Sequence, residues 1–222
     1  MQPLVLITSI IYTPDIPLSY IYTRSVFSHE ERFEQTKKTI QSVREKIPNA
    51  IIFMVECSDL NTEHHKYLLE NTDYFFNIYN TTNILDNIYS KSKSLGEGTM
   101  TILAIKYILE NNIMFDNLIK ITGRYWLSEK FDYLLFDEDK IVIKCINNNI
   151  DNVLTSLYQL PREIAKNYIS FLENHYQEMV DCIGYEVLFA IFIKSQEKNI
   201  IKTLDIIGVE GNIAVSNDFY SG

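Results

Sequence analysis

Short, unbroken apolar runs alternate with helical stretches along this chain, and that alternation limits what it can fold into more than any other feature. Residues 4–11 and 50–55 are apolar and continuous rather than alternating in polarity, the pattern of strands buried on both faces of a parallel sheet, and residues 117–122 supply a further strand. Between the first two, Ser28 and Glu31 form a capping box that opens a helix to about Lys46. Phe33, Thr36, Ile40 and Val43 keep helical spacing on it, and Pro48-Asn49 turns the chain into the second strand. The result is one βαβ unit.

Further along, the sequence predicts a helix over 62–70, a short strand over 74–79 and a polar loop over 80–94 that carries Lys91 and Lys93. Gly96 and Gly98 open a helix through Met100, Leu103, Ala104, Tyr107 and Ile108, and strand 117–122 runs into Gly123-Arg124-Tyr125. A strand over 140–145, helices over 161–178 and 184–195, and a strand and loop from 206 complete a single α/β domain over 1–222. The expected fold is a mainly parallel, doubly wound central sheet with helices on both faces. Such sheets bind ligands beyond the carboxyl ends of their strands, so Thr8, Ser9, residues 56–59 and residues 123–125 are expected to line one cleft. No GxGxxG follows the first strand and no GxxxxGK[ST] occurs, which argues against a dinucleotide-binding oxidoreductase and a P-loop enzyme.

Composition removes further classes. A formal net charge of -9 argues against nucleic acid as a partner, because phosphate backbones are held by clustered Lys and Arg. Cys57, Cys145 and Cys182 are far apart with no CxxC spacing, which predicts buried free thiols in a reducing, cytoplasmic compartment. No run approaches the roughly 20 apolar residues of a membrane span. His29, His64, His65 and His175 lack metal-ligand spacing and read as surface residues.

Five constellations could carry chemistry. Thr8 and Ser9 would let a base or ribose approach the strand end, with Arg24 in the following loop gripping phosphate oxygens. Glu56 could accept hydrogen bonds from a ribose hydroxyl or a base N–H. Lys91, Lys93, Gly96, Glu97 and Gly98 run into a helix N-terminus that favours a pyrophosphate. Strand alternation sends Lys120, Thr122 and Arg124 to one face, with Gly123 admitting a ligand to the backbone. Asp181 and Glu186 lie near an apolar helix, where desolvation would raise a carboxylate towards the working range of a general base. The same residues also read as an ordinary strand end, a solvated loop, local ion pairs and a helix-dipole acid, and residue types alone leave both readings open.

The segment Arg24-Ser25-Val26-Phe27-Ser28, then Glu31-Arg32-Phe33-Glu34-Gln35-Thr36, Thr39-Ile40-Gln41-Ser42-Val43-Arg44 and Ile47-Pro48-Asn49-Ala50, resembles a family of small GT-A-type glycosyltransferases, and Lys120-Ile121-Thr122-Gly123-Arg124-Tyr125 agrees with it. The family is associated with chlorovirus capsid glycans and bacterial surface polysaccharides. The resemblance implies a hexosyl transfer from a nucleotide-diphosphate sugar, a UDP-sugar foremost, to a glycan or glycoprotein acceptor. It places donor pyrophosphate over the central strands and an acid near the acceptor as base, Glu186 first and Asp181 second. The chain departs from the GT-A pattern at the Asp-x-Asp metal motif, where the strand end reads Thr122-Gly123-Arg124. Asp137-Glu138-Asp139 has the letters but reads as an exposed turn. Either a manganese or magnesium ion is held by other acids, or Lys and Arg neutralise the leaving diphosphate. The rivals are a sugar nucleotidyltransferase, which would want a glycine-rich loop where residues 12–27 have no glycine, and a catalytically silent binding protein.

Overall fold

The computed structural model describes residues 2–81 and 83–222. In chain order its elements are β1 (Pro3–Ser9), α1 (His29–Lys46), β2 (Ile51–Glu56), α2 (Thr62–Asn71), β3 (Tyr74–Asn77), α3 (Leu85–Ile88), α4 (Lys93–Glu110), β4 (Asn117–Thr122) and β5 (Tyr125–Leu127). There follow β6 (Ile141–Ile143), β7 (Cys145–Ile146), β8 (Asn149–Val153), β9 (Leu157–Pro161), α5 (Arg162–Asn174), α6 (Tyr176–Val180), α7 (Tyr185–Lys194), β10 (Ile201–Thr203), β11 (Val209–Asn212) and β12 (Phe219–Ser221).

The central sheet has seven strands in the order β10-β6-β9-β4-β1-β2-β3. Its strands are parallel except β9, which runs antiparallel between β4 and β6. β1 is central and every residue of it is buried. One face packs its Leu4, Leu6, Phe53 and Leu118 against α4, α5 and α7. The other packs Val5, Ile7, Ile52 and Ile119 against α1. Side chains alternate across each strand, so an all-apolar run feeds both cores at once. The expected mainly parallel, two-faced α/β sheet is observed.

Several local expectations change. The first strand stops at Ser9, where the chain leaves the sheet for Glu56 Oε1, which accepts from the Ile11 amide at 3.0 Å. The loop expected over 80–94 contains α3, and α4 begins at Lys93 because the Ser92 hydroxyl caps Leu95 N at 3.1 Å. Gly96 and Gly98 therefore sit inside the helix rather than opening it. The helix expected over 161–178 is two helices broken at His175, and the strand expected over 140–145 is split at Lys144. β9 was not expected: its five residues are all buried but too short and aperiodic to distinguish from the helix that follows. His64 is 3% exposed, its Nδ1 is 2.9 Å from the Tyr12 hydroxyl and its ring stacks on Phe33, so it is not a surface residue. All three cysteines are free, but only Cys57 is buried. Among the described residues no helix is long and apolar enough to cross a membrane.

β5, β11 and β12 form a separate antiparallel sheet beside α1. Its entry is Gly208 at φ +78, where a Cβ would overlap the backbone Cα and N of Phe131. Gly208→Ala is expected to lower the unfolding free energy by roughly 2–4 kcal/mol, combining left-handed strain with overpacking against backbone. Denaturant unfolding followed by the fluorescence of Trp126, the only tryptophan, measures it.

Candidate functional site

A cavity of about 340 Å³ opens beyond the carboxyl ends of β1 and β4. Its floor is Thr8, Ser9 and Thr122 from the strand ends, and Arg32 from α1 rises beside them. The first turns of α4 contribute Lys93, Gly96 and Glu97, and the start of α7 contributes Glu186. The outer wall is Tyr125, Tyr220 and the apolar side chains of Leu18, Ile146 and Leu154. The β7–β8 hairpin that delivers Ile146 turns at Asn147 and Asn148, whose φ angles of 53° and 56° asparagine tolerates.

The fold brings together Thr8, Ser9, Arg24, Lys93, Gly96, Glu97, Thr122, Arg124, Tyr125 and Glu186 from the expected residues. Three others lie elsewhere. Glu56 is fully buried, accepting from Ile11 N and from the Ser58 hydroxyl, and burial pushes its carboxyl up; it pins the exit of β1 rather than facing the cavity. Gly123 is buried, and a Cβ there would come within 2.9 Å of Ser9 Cβ, so its small size serves the β1–β4 contact instead of ligand approach. Asp181 is exposed at the end of α6, accepting from Gln177 Nε2 at 3.0 Å. None of residues 56–59 lines the cavity.

Charge is the cavity's distinguishing property. The two acids in its lining are already committed. Glu97 accepts from Lys120 Nζ at 2.6 Å, with Lys120 wholly buried beneath the floor and also bonded to Thr122 Oγ1 and the Thr155 carbonyl. Glu186 accepts from Lys93 Nζ at 2.8 Å. Burial would raise the Glu186 carboxyl, but Lys93 and Lys120 outweigh it and hold the group below its ordinary value, opposite to the shift expected for a desolvated base. Burial likewise pulls Lys93 down, and Glu186 with Glu97 more than reverses it.

Arg24, Arg32 and Arg124 have no described carboxylate in ion-pair range. Arg24 spends its donors on the carbonyls of Ile16, Ile88, Tyr89 and Ser90, so it braces the loop over 12–27 against α3. Arg32 is 3% exposed and donates to the Ile10 carbonyl at 2.8 Å; burial first, then Arg124 and Arg24, push it down to about 9 against the opposing pull of Glu56. It remains charged at neutral pH. Arg124 keeps a buried Nε with no hydrogen-bond partner. Arg32 is the site residue that sequence reading passed over, although it lies on the same helical face as Thr36 and Val43. That spacing was the available signal.

No known protein-family profile matches the sequence, and no curated protein matches it. Solved structures do. Core-mannan synthase A from Aspergillus fumigatus, in a Mn/GDP form, superposes with a TM-score of 0.60 at 8% identity over 96% of this chain and 74% of that one. The glycosyltransferase GlyE of Streptococcus pneumoniae TIGR4 gives 0.51 at 8% identity over 92% of this chain and 45% of its own, so this chain spans under half of GlyE. The CTP:phosphocholine cytidylyltransferase LicC of Streptococcus pneumoniae gives 0.53 at 14% identity over 98% and 96%. The chain has the GT-A-like fold of nucleotide-diphospho-sugar transferases.

Within the GT-A-like fold a divalent cation would be sought at the end of β4, and the residues there do not fit one. The position holds Arg124, whose guanidinium repels a cation, and the only lining carboxylates, Glu97 and Glu186, are neutralised by lysines. Among the described residues no group of three or more His, Cys, Asp or Glu side chains is gathered elsewhere to hold a metal.

Proposed function

We propose that this chain, acting as one domain over residues 1–222, transfers a sugar from a nucleoside-diphosphate donor, a UDP-sugar foremost, to a hydroxyl of a glycan or glycoprotein. The observation that carries the reading is a cavity at the carboxyl edge of a GT-A-like sheet, lined by three arginines without acid partners, in a protein of net charge -9. Such a cavity concentrates positive potential where a diphosphate would sit. The Tyr125 and Tyr220 rings and the apolar wall supply surface for a base or sugar.

The reaction is a direct displacement at the anomeric carbon. The bond from that carbon to the acceptor oxygen forms as its bond to the diphosphate oxygen breaks, and Glu186 takes the acceptor proton. Lys93 and Arg124 face the negative charge that grows on the leaving diphosphate. Being held ionised by Lys93, Glu186 is ready to accept a proton at neutral pH, at some expense in basicity.

The test is release of free nucleoside diphosphate from UDP-, GDP- and dTDP-sugars, and of CMP from CMP-sugars, with and without added oligosaccharide acceptors. Release of one nucleotide, accelerated by an acceptor, is expected. The coverage of 98% and 96% with LicC makes a nucleotidyltransferase the second reading. Pyrophosphate release from a nucleoside triphosphate and a sugar phosphate, with no release from nucleotide sugars, would replace the first reading by the second.

A further inference from the structure

We infer that Arg32 and Arg124 together supply the two positive charges that a divalent cation would bring to the diphosphate, so that this site binds a nucleoside diphosphate without metal. The inference deepens the proposed function and rests on it for the nucleotide, though not for the pyrophosphate.

The argument begins with cost. A guanidinium as buried as Arg32 loses most of its hydration, and a second one nearby adds repulsion; both effects are visible in the downward push on Arg32. Proteins ordinarily offset a buried charge with a carboxylate. Here Arg32 has the Ile10 carbonyl and, at 3.4 Å, the Ser25 hydroxyl, and no described acid comes within ion-pair range. Arg124 carries a buried Nε that donates to nothing. Among the described residues only Glu56 offsets Arg32, through space and without an ion pair, which leaves the two guanidiniums short of counter-charge. The cavity that both arginines line is open to an anion that would supply the rest.

The chemical class follows from geometry and count. Arg32 and Arg124, neither in an ion pair, present planar guanidinium N–H donors suited to tetrahedral phosphate oxygens. Arg24 adds field but not donors, because its N–H groups are held by backbone carbonyls. A diphosphate, with two phosphate groups, can engage both guanidiniums and carries more of the charge that matches them than a monophosphate does. A bound cation would instead face Arg124 across the same space, with only Glu97 and Glu186 to hold it, each already bonded through Oε1 to a lysine.

Isothermal titration of the full chain with UDP, GDP, CDP and inorganic pyrophosphate, in EDTA and again in manganese chloride, decides it. Binding of pyrophosphate and of one nucleoside diphosphate in EDTA is expected, little changed by manganese, and the matching nucleoside monophosphate should bind more weakly. Arg124→Met should weaken the diphosphate about 10- to 100-fold, the loss of a charge-assisted fork, while melting unliganded at no lower temperature than the parent protein. Arg124→Lys, which keeps the charge but not the fork, should fall between. Binding that appears only with manganese, or that survives Arg124→Met unchanged, or that is absent for every probe in EDTA, overturns the inference. The first of these leaves the sugar-transfer reading standing. Metal-free, Arg124-dependent binding of pyrophosphate with no nucleoside diphosphate bound would do the reverse, upholding the charge substitution and removing the nucleotide-sugar donor.

Discussion

Replacing Glu186 with glutamine is expected to slow sugar transfer about 10²- to 10⁴-fold, the usual worth of a positioned general base, with nucleotide affinity unchanged. Glutamine keeps the shape of the side chain, and its carbonyl can still accept from Lys93, so the cavity wall should stay in place. Only the capacity to take a proton is removed. The companion variant Lys93→Met separates base from wall. Lys93 does most to hold Glu186 below its ordinary value against burial, so without it the carboxyl titrates higher and the acid limb of the pH profile of kcat/KM should move to higher pH. The sign is fixed by the depressed value: Glu186 is ionised at all pH above it, and the pair's contribution disappears only as pH falls through it. Full activity in Glu186→Gln, or an acid limb unmoved in Lys93→Met, would assign the base to another group.

The largest expected effect on stability is at Lys120. Lys120→Ala should lower the unfolding free energy by about 3–5 kcal/mol, because removing one member of a buried pair strands the other. Lys120 is completely buried, and its ammonium meets Glu97, Thr122 Oγ1 and the Thr155 carbonyl at 2.6, 2.8 and 2.7 Å. These three partners come from α4, β4 and the segment after β8, so the single ammonium ties together two walls and the floor of the cavity. The double variant Lys120→Met, Glu97→Gln removes both charges and should recover most of the loss in denaturant unfolding. If Lys120→Ala is as stable as the parent, the ion pair is not a structural element.

How much of this was legible in advance depends on the range over which each feature is decided. The parallel strands β1 and β2 were readable because double burial demands apolar runs, and α1 because the Ser28–Glu31 box is a contact between neighbours in sequence. The strand ends then located a ligand cleft, and Thr8, Ser9, Arg124 and Glu186 are in its lining. β9 was not legible, because nothing within five residues distinguishes an antiparallel strand between β4 and β6 from the beginning of α5.

The roles of charged residues divide the same way. The sequence pointed to the carboxyl edge as the place where cations and acids would gather, since alternating strands and helices imply a parallel sheet whose ligand face is at the strands' carboxyl ends. Which cation met which acid was decided only in three dimensions. Lys120 and Glu97 are 23 residues apart, Lys93 and Glu186 are 93 apart, and Arg32 reaches the floor from a helix that begins after a long loop. Ion pairing depends on a few ångströms of separation and on how much water each group keeps, and neither is written in local spacing. For that reason Glu56 moved from ligand to brace and Glu186 from a raised to a lowered carboxyl. The unpaired Arg32 and Arg124 emerged only once every acid within reach had been assigned.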